Sequence, residues 1–358
     1  MRVLVGMSGG VDSSVAAAEL IAAGHEVVGV TMRLWGGESD TGCCSVSDVE
    51  DARRVAQQLG IDHVVFNFTE DFNSHVVDPY VDSHRNGITP NPCIECNRHL
   101  KFDRLSERAR LLGFDAVATG HHARIITLDD GTQRLARAHD RAKDQSYVLY
   151  TCDREELART VFPVGSMTKD AVREKAAKLG LRTAAKPDSQ DVCFISREGG
   201  REAFLGDRIP FRRANVIGTD GTPEGTVEAV ELVTLGQRRG LGIAGGGPKK
   251  FVVDIKHAGD TPTVVVGPRE LLMTTQESVS TLVWPDHAPT NLSTGMSVMV
   301  QCSAHGETAA ATLRADGGDV QLEWCDPHLR VSPGQSVVFY DPTDTYVVGG
   351  GIVTGPRT

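Results

Sequence analysis

An alternation near the start of the chain narrows the fold more than any other feature. Apolar runs at Val3 to Val5, Val27 to Met32, Val64 to Phe68 and Ala116 to Thr119 are separated by stretches near 11 to 23, 47 to 59 and 97 to 112 with helical spacing. Each helical stretch ends close to a glycine, Gly24, Gly60 or Gly113, the residue most suited to a helix C-terminus. Strands that take turns with helices pair in parallel, so the pattern predicts an α/β domain whose sheet is covered by helices. A further helix is expected over roughly 168 to 179, followed by Gly180 and the polar loop Lys186-Pro187-Asp188-Ser189-Gln190.

From about residue 205 glycine and proline become frequent and β-branched runs such as Val264-Val265-Val266 replace helical spacing. Past about 275, alternation at Ser297 to Gln301, Val320 to Trp324 and Ser336 to Tyr340 predicts a small barrel or sandwich. A chain of 358 residues has core enough for three such units, expected at 1–204, 205–274 and 275–358. No stretch has the length and apolarity of a membrane span, and the start of the chain has no signal-peptide core. Eight cysteines in such a chain point to a reducing cytoplasm, where thiols serve reactivity or metal binding.

Directly after the first strand stands Ser8-Gly9-Gly10-Val11-Asp12-Ser13-Ser14, opening a helix. Glycines let the backbone turn so that several N–H groups converge, and the helix N-terminus adds positive potential, so the loop predicts an anion site. It lacks the Gly-Lys-Ser/Thr ending of a γ-phosphate-transferring loop.

Two more constellations carry thiols: Thr89-Pro90-Asn91-Pro92-Cys93-Ile94-Glu95-Cys96-Asn97, and Asp188-Ser189-Gln190-Asp191-Val192-Cys193-Phe194. The prolines predict extended backbone ahead of Cys93 and Cys96, and both segments read as polar loops, where buried structural cysteines are unusual. A lone C-x-x-C pair is open to redox, zinc or iron–sulfur roles, and no second such pair completes a four-ligand zinc site. The net charge of −10 argues against a nucleic-acid partner, but six basic residues between Arg85 and Arg110 outnumber three acidic ones there.

The glycine loop resembles the pyrophosphate-loop family of ATP pyrophosphatases. Taken with Thr119-Gly120-His121-His122, Lys143-Asp144-Gln145-Ser146-Tyr147, Cys193-Phe194-Ile195 and Gly236-Gln237-Arg238-Arg239-Gly240-Leu241, the chain is similar nearly throughout to the tRNA-specific 2-thiouridylase family. The resemblance implies a Rossmann-like ATP-binding domain, a small central β-rich domain and a C-terminal β-barrel that contacts tRNA. It implies adenylation of the C2 oxygen of a wobble uridine and its replacement by sulfur, with Cys96 as nucleophile and Cys193 as the carrier of a persulfide. ATP, with Mg²⁺ on its phosphates, is implied against Gly6, Met7, Ser8, Gly9, Gly10, Val11, Asp12 and Ser13, the backbone at Met32, and Gly120. Contacts with tRNA are implied for Asn91, Pro92, His121, Lys143, Asp144, Gln145 and Gln335. His121 and His122 read equally well as packed histidines. A cysteine desulfurase or sulfur relay protein is the implied sulfur donor.

One departure leaves an alternative open. Some members of the family carry aspartate where this chain has Cys93, so Cys93, Cys96 and Cys193 are also candidate ligands for three irons of a 4Fe–4S cluster. Cys43, Cys44, Cys152, Cys302 and Cys325 read as structural. The rival activities are a pyrophosphate-loop ligase in which an amine attacks the adenylate, and a non-catalytic nucleotide-binding redox or iron–sulfur sensor.

Overall fold

A computed structural model describes residues 1–34, 46–188, 192–195, 199–244, 247–256 and 261–355. Its first strand, β1 (Arg2–Gly6), is flanked in parallel by β2 (Glu26–Arg33) and β4 (Ala116–Thr119), with β3 (Asp62–Asn67) outside β2 and Thr160–Val161 outside β4. Successive side chains of a strand point to opposite faces. Val3 and Val5 therefore enter one core with α1 (Val11–Ala22), α2 (Val46–Leu59) and the helix Lys169–Lys178. Leu4 enters the other, with Phe72, Val76, Leu100 and Leu105. Strand and helix bounds fall within a few residues of the expected ones, and Gly24, Gly60, Gly113 and Gly180 all take the positive φ of helix-ending glycines.

The segment around Cys93 and Cys96 departs from expectation. Rather than a polar loop before a helix at 97, one helical run covers Pro92–Glu95, Cys96–Arg104 and Leu105–Leu111, its middle part in π register. The reason is local: proline suits the first helical position, where its missing N–H is not needed, and the Asn91 side chain accepts from the Cys93 N–H at 3.1 Å as the cap. Cys96 is consequently buried in the Leu4-side core, a correction to the expected loop position. A second π segment, Asn73–Val77, precedes the helix Asp78–Arg85 on the same side.

A mixed sheet follows, in the order Phe251–Lys256, Thr263–Gly267, Ala214–Gly218, Pro223–Val227. The last region is a closed barrel of Met273–Val283, Asp319–Leu329, Ala309–Asp316, Met296–Gln301, Ser336–Tyr340 and Val347–Val353, in that spatial order. The barrel packs against the first domain through a shared core of Ile94, Phe102, Tyr147, Tyr150, Val338 and Tyr340. The approach is close enough that a β-carbon on Gly350 would lie 2.6 Å from the Tyr150 ring.

Candidate active site

The sheet order reverses between β1 and β4, and open α/β sheets bind ligands beyond the C-terminal ends of the strands at such a reversal. A cavity of about 1180 Å³ opens there, larger than a typical small-molecule pocket. Gly6, Met7, Ser8, Gly10, Val11, Asp12, Ser13, Met32 and Gly120 line it, and so do Cys93, Cys96 and Cys193. Two families of residues expected from separate motifs thus share one chamber.

The glycine loop is fixed from three sides. Ser13 Oγ accepts from the Ser8 N–H at 3.2 Å and donates to Gly10 O at 3.1 Å, closing the loop on itself. Gly9 has φ +71°, and a β-carbon on it would meet Asp48 O at 2.4 Å, so the start of α2 rests on its backbone. A β-carbon on Gly120 would meet Ser13 N at 2.5 Å, so the end of β4 presses on the same loop. Glycine is required at both places by lack of room.

Charge is then arranged around the loop. The Asp12 carboxylate accepts from His122 Nε2 at 3.0 Å and from Lys169 Nζ at 2.7 and 2.8 Å. Burial pushes that carboxyl up, but the hydrogen bonds from His122 and Lys169 outweigh it and leave Asp12 below its ordinary value. Lys169 also reaches Asp188 at 2.9 Å, and Asp188 pairs with Lys143 at 2.9 Å and Arg173 at 2.7 Å. Those partners again overcome burial and hold Asp188 far below the usual carboxylate range. His121 is buried with Nδ1 at 2.7 Å from Thr119 Oγ1 and Nε2 at 3.3 Å from Lys101 Nζ. Burial, and then the Lys101 charge, keep it neutral.

The thiols come from two elements. Cys93 and Cys96 lie on the helical run begun by Asn91, while Cys193 packs against the Leu4-side core beside Phe194. Phe194 is wedged among Phe72, Tyr80 and Phe204 at centroid distances of 5.6, 5.4 and 5.1 Å. His84 lines the cavity in the same quarter, its Nδ1 3.2 Å from Glu231 O, and burial lowers it to about 4. Although the three cysteines border one chamber, no group of three or more His, Cys, Asp or Glu among the described residues is placed to hold a metal ion. Cys43, Cys44, Ser189, Gln190 and Asp191 lie outside the described residues, Cys152 is buried and Cys325 exposed.

Of the remaining expected residues, Pro92, His121, Lys143, Asp144 and Gln145 line the cavity, whereas Asn91, Gly9 and Gln335 do not. Asp144 is occupied by Arg137 at 2.8 Å and Gln145 Oε1 by the His122 N–H at 2.8 Å. Gln335 donates to Thr89 O, tying the barrel to the start of the cysteine segment. Sequence reasoning overlooked Lys169. A lysine in the first turn of a helix opposes the helix dipole, and that mismatch was the one available sign of an acidic partner.

Residues 1–197 match the family model described as tRNA methyl transferase HUP domain, and residues 275–353 the model described as aminomethyltransferase beta-barrel domain. The tRNA-specific 2-thiouridylase MnmA of Mycobacterium avium is 45% identical over 365 residues, covering 99% of each chain. That of Chloroflexus aurantiacus is 44% identical over 363 residues, again covering 99% of both. Among solved structures, a 4-thiouridine synthetase in complex with RNA and bound ATP has 21% identity and a TM-score of 0.37, covering 54% of this chain and 44% of that one.

Proposed function

The chain belongs to the tRNA-specific 2-thiouridylase family, and from that premise we propose that it uses ATP to replace the C2 oxygen of the tRNA wobble uridine with sulfur. The observation that carries the reading is the single cavity bordered both by the glycine loop and by Cys93, Cys96 and Cys193. Transfer of AMP needs the first, and sulfur delivery the second.

In this reading the Gly6 to Ser13 loop would hold the β- and γ-phosphates of ATP, whose charge Mg²⁺ would screen, and the uridine O2 attacks the α-phosphorus, expelling pyrophosphate. O2 then leaves C2 as part of AMP. The terminal sulfur of a Cys193 persulfide attacks C2 as AMP departs, and the Cys96 thiolate attacks the Cys193 sulfur. The S–S bond of the persulfide breaks, leaving 2-thiouridine and a Cys96–Cys193 disulfide that a two-electron thiol reductant reopens. Sulfur comes from a cysteine desulfurase or relay protein. Asn91, Pro92, His121, Lys143, Asp144, Gln145 and Gln335 form or support the tRNA-contacting rim. Among the described residues no helix is long and apolar enough to cross a membrane.

The experiment is incubation of the chain with ATP, unmodified tRNA and a persulfide source, with AMP and 2-thiouridine quantified. Cys193→Ser is expected to form AMP without thiolated product, and Cys96→Ser to lose product. AMP formed without any 2-thiouridine by the unaltered chain, and undiminished in both variants, would favour an amine-attack ligase. Iron and labile sulfide in anaerobically purified protein, lost in Cys93→Asp together with activity, would instead favour the cluster.

A further inference from the structure

The barrel is joined to the cavity by more than an apolar contact. Arg137, 5% exposed, lies with its guanidinium carbon 3.4 Å from the centroid of the Tyr340 ring. It donates to Gln301 and, at 2.7 Å, to Asp344, both on the barrel, and at 2.8 Å to Asp144. Arg141 grips the same Asp344 carboxylate and its carbonyl. Asp344 stands at φ +54° in a turn whose N–H groups at Thr343, Thr345 and Tyr346 are all bonded to the Asp341 side chain. A strained residue held this firmly is aimed by its surroundings. Neither Arg137 nor Asp344 lines the cavity.

What these pairs hold is the loop from Asp140 to Gln145, and each side of that loop serves the charged wall. Asp140 accepts from the Lys169 backbone N–H at 2.9 Å, at the point where the Lys169 side chain sets out for Asp12 and Asp188. Lys143 meets Asp188 directly. Gln145 exchanges backbone and side-chain bonds with His122, the other partner of Asp12. One loop therefore touches Lys169 and His122 and supplies Lys143, three of the groups that set the charge beside the glycine loop.

We infer that Asp344 and Arg137 are positioning residues: the docked barrel turn sets the Asp140 to Gln145 loop, and through it the Lys169, Lys143 and His122 arrangement that nucleotide binding requires. The inference rests on the phosphate-binding role given above to the glycine loop. It makes the barrel part of the nucleotide site as well as a platform for RNA. Buried charge networks respond together when one member is removed, because the others lose their compensation.

The test uses the full chain. Binding of a non-hydrolysable ATP analogue is measured by calorimetry, AMP release is measured with unmodified tRNA, and thermal melting is recorded in parallel. The variants are Asp344→Ala, Asp344→Asn and Arg137→Lys, with Arg314→Ala as a control for an exposed ion pair, to Glu323, elsewhere on the barrel. Asp344→Ala is expected to weaken analogue binding about tenfold, with a matching fall in kcat/KM for ATP in AMP release. Asp344→Asn and Arg137→Lys, which keep the shape but lose charge or fork geometry, are expected to fall in between, and Arg314→Ala to match wild type.

Analogue affinity unchanged in Asp344→Ala, or in the two milder variants if it does not fold, would overturn the inference. So would losses that only follow a lower melting temperature. A wild-type chain that binds the analogue but forms no AMP on tRNA refutes the thiolation reading and leaves the coupling to be judged on affinity. One that binds no analogue refutes both.

Discussion

On the glycine-loop side the backbones of Gly9 and Gly120 lie so close to Asp48 and Ser13 that a methyl group has no room. Beside it Asp188, itself exposed, is held by Lys143, Lys169 and Arg173 through charge. Steric exclusion among buried backbones is all-or-none, because close-packed interiors transmit strain instead of absorbing it. Ion pairs open to water are graded, and yield to salt and to pH. The two walls should therefore fail in different ways.

The sharpest test is Gly120→Ala. Its β-carbon would stand 2.5 Å from Ser13 N and 2.7 Å from Asp12 C, so the loop must move. AMP release is expected to fall at least 10²-fold, with about 1–3 kcal/mol of stability lost in urea titration. Activity within threefold of wild type would show that the loop is not sterically set.

Acid separates neutral imidazoles from ion pairs. His84 has a folded value of about 4 against an ordinary 6.5, so between those values the unfolded chain binds a proton that the fold refuses. Stability therefore falls as pH drops from 6.5 towards 4, and His121 adds to the same trend. Asp12 and Asp188, both depressed, keep their contribution down through the ordinary carboxylate value of 3.8 and lose it only below. About 3 kcal/mol of stability should disappear between pH 7 and pH 4 through His84 alone, and His84→Gln should flatten that part of the slope. An unchanged slope in that variant would count against it.

Lys169→Met removes the ammonium shared by Asp12 and Asp188, and about a tenfold loss of AMP release is expected, with little change in tRNA affinity. The smallest effect belongs to Asp188→Asn, about threefold, and it should shrink further in 1 M salt. A salt-independent loss would place Asp188 in the chemistry rather than in the wall.

These differences follow what the sequence made legible. The glycine loop, the β1 to β4 alternation and strands such as Ser336–Tyr340 depend on local spacing, which a single sequence displays. The hairpin Arg124–Thr127 and Gln133–Ala136 was also announced, by Asp130-Gly131, but alternation alone passes over so short a pair. The Arg137 network was beyond reach, because Asp344 and Gln301 meet it across 207 and 164 residues of chain. The burial of Cys96 was missed because Pro92 was read as a mark of extended chain when, behind an asparagine cap, it begins a helix.

The π register of Cys96–Arg104 has a further consequence. A π turn carries one residue more than an α turn, and each α-helical residue advances the side-chain direction by about 100°. Winding the same residues as uniform α-helix would swing the Cys93 and Cys96 end about a quarter-turn relative to Leu105 and Ala109, which are anchored in the core, and deleting one residue from the segment would restore the phase. The direction in which these sulfur atoms point is thus a matter of counting: the wider turns absorb a surplus residue right beside the cysteine pair and keep the thiols in phase with the chamber they border.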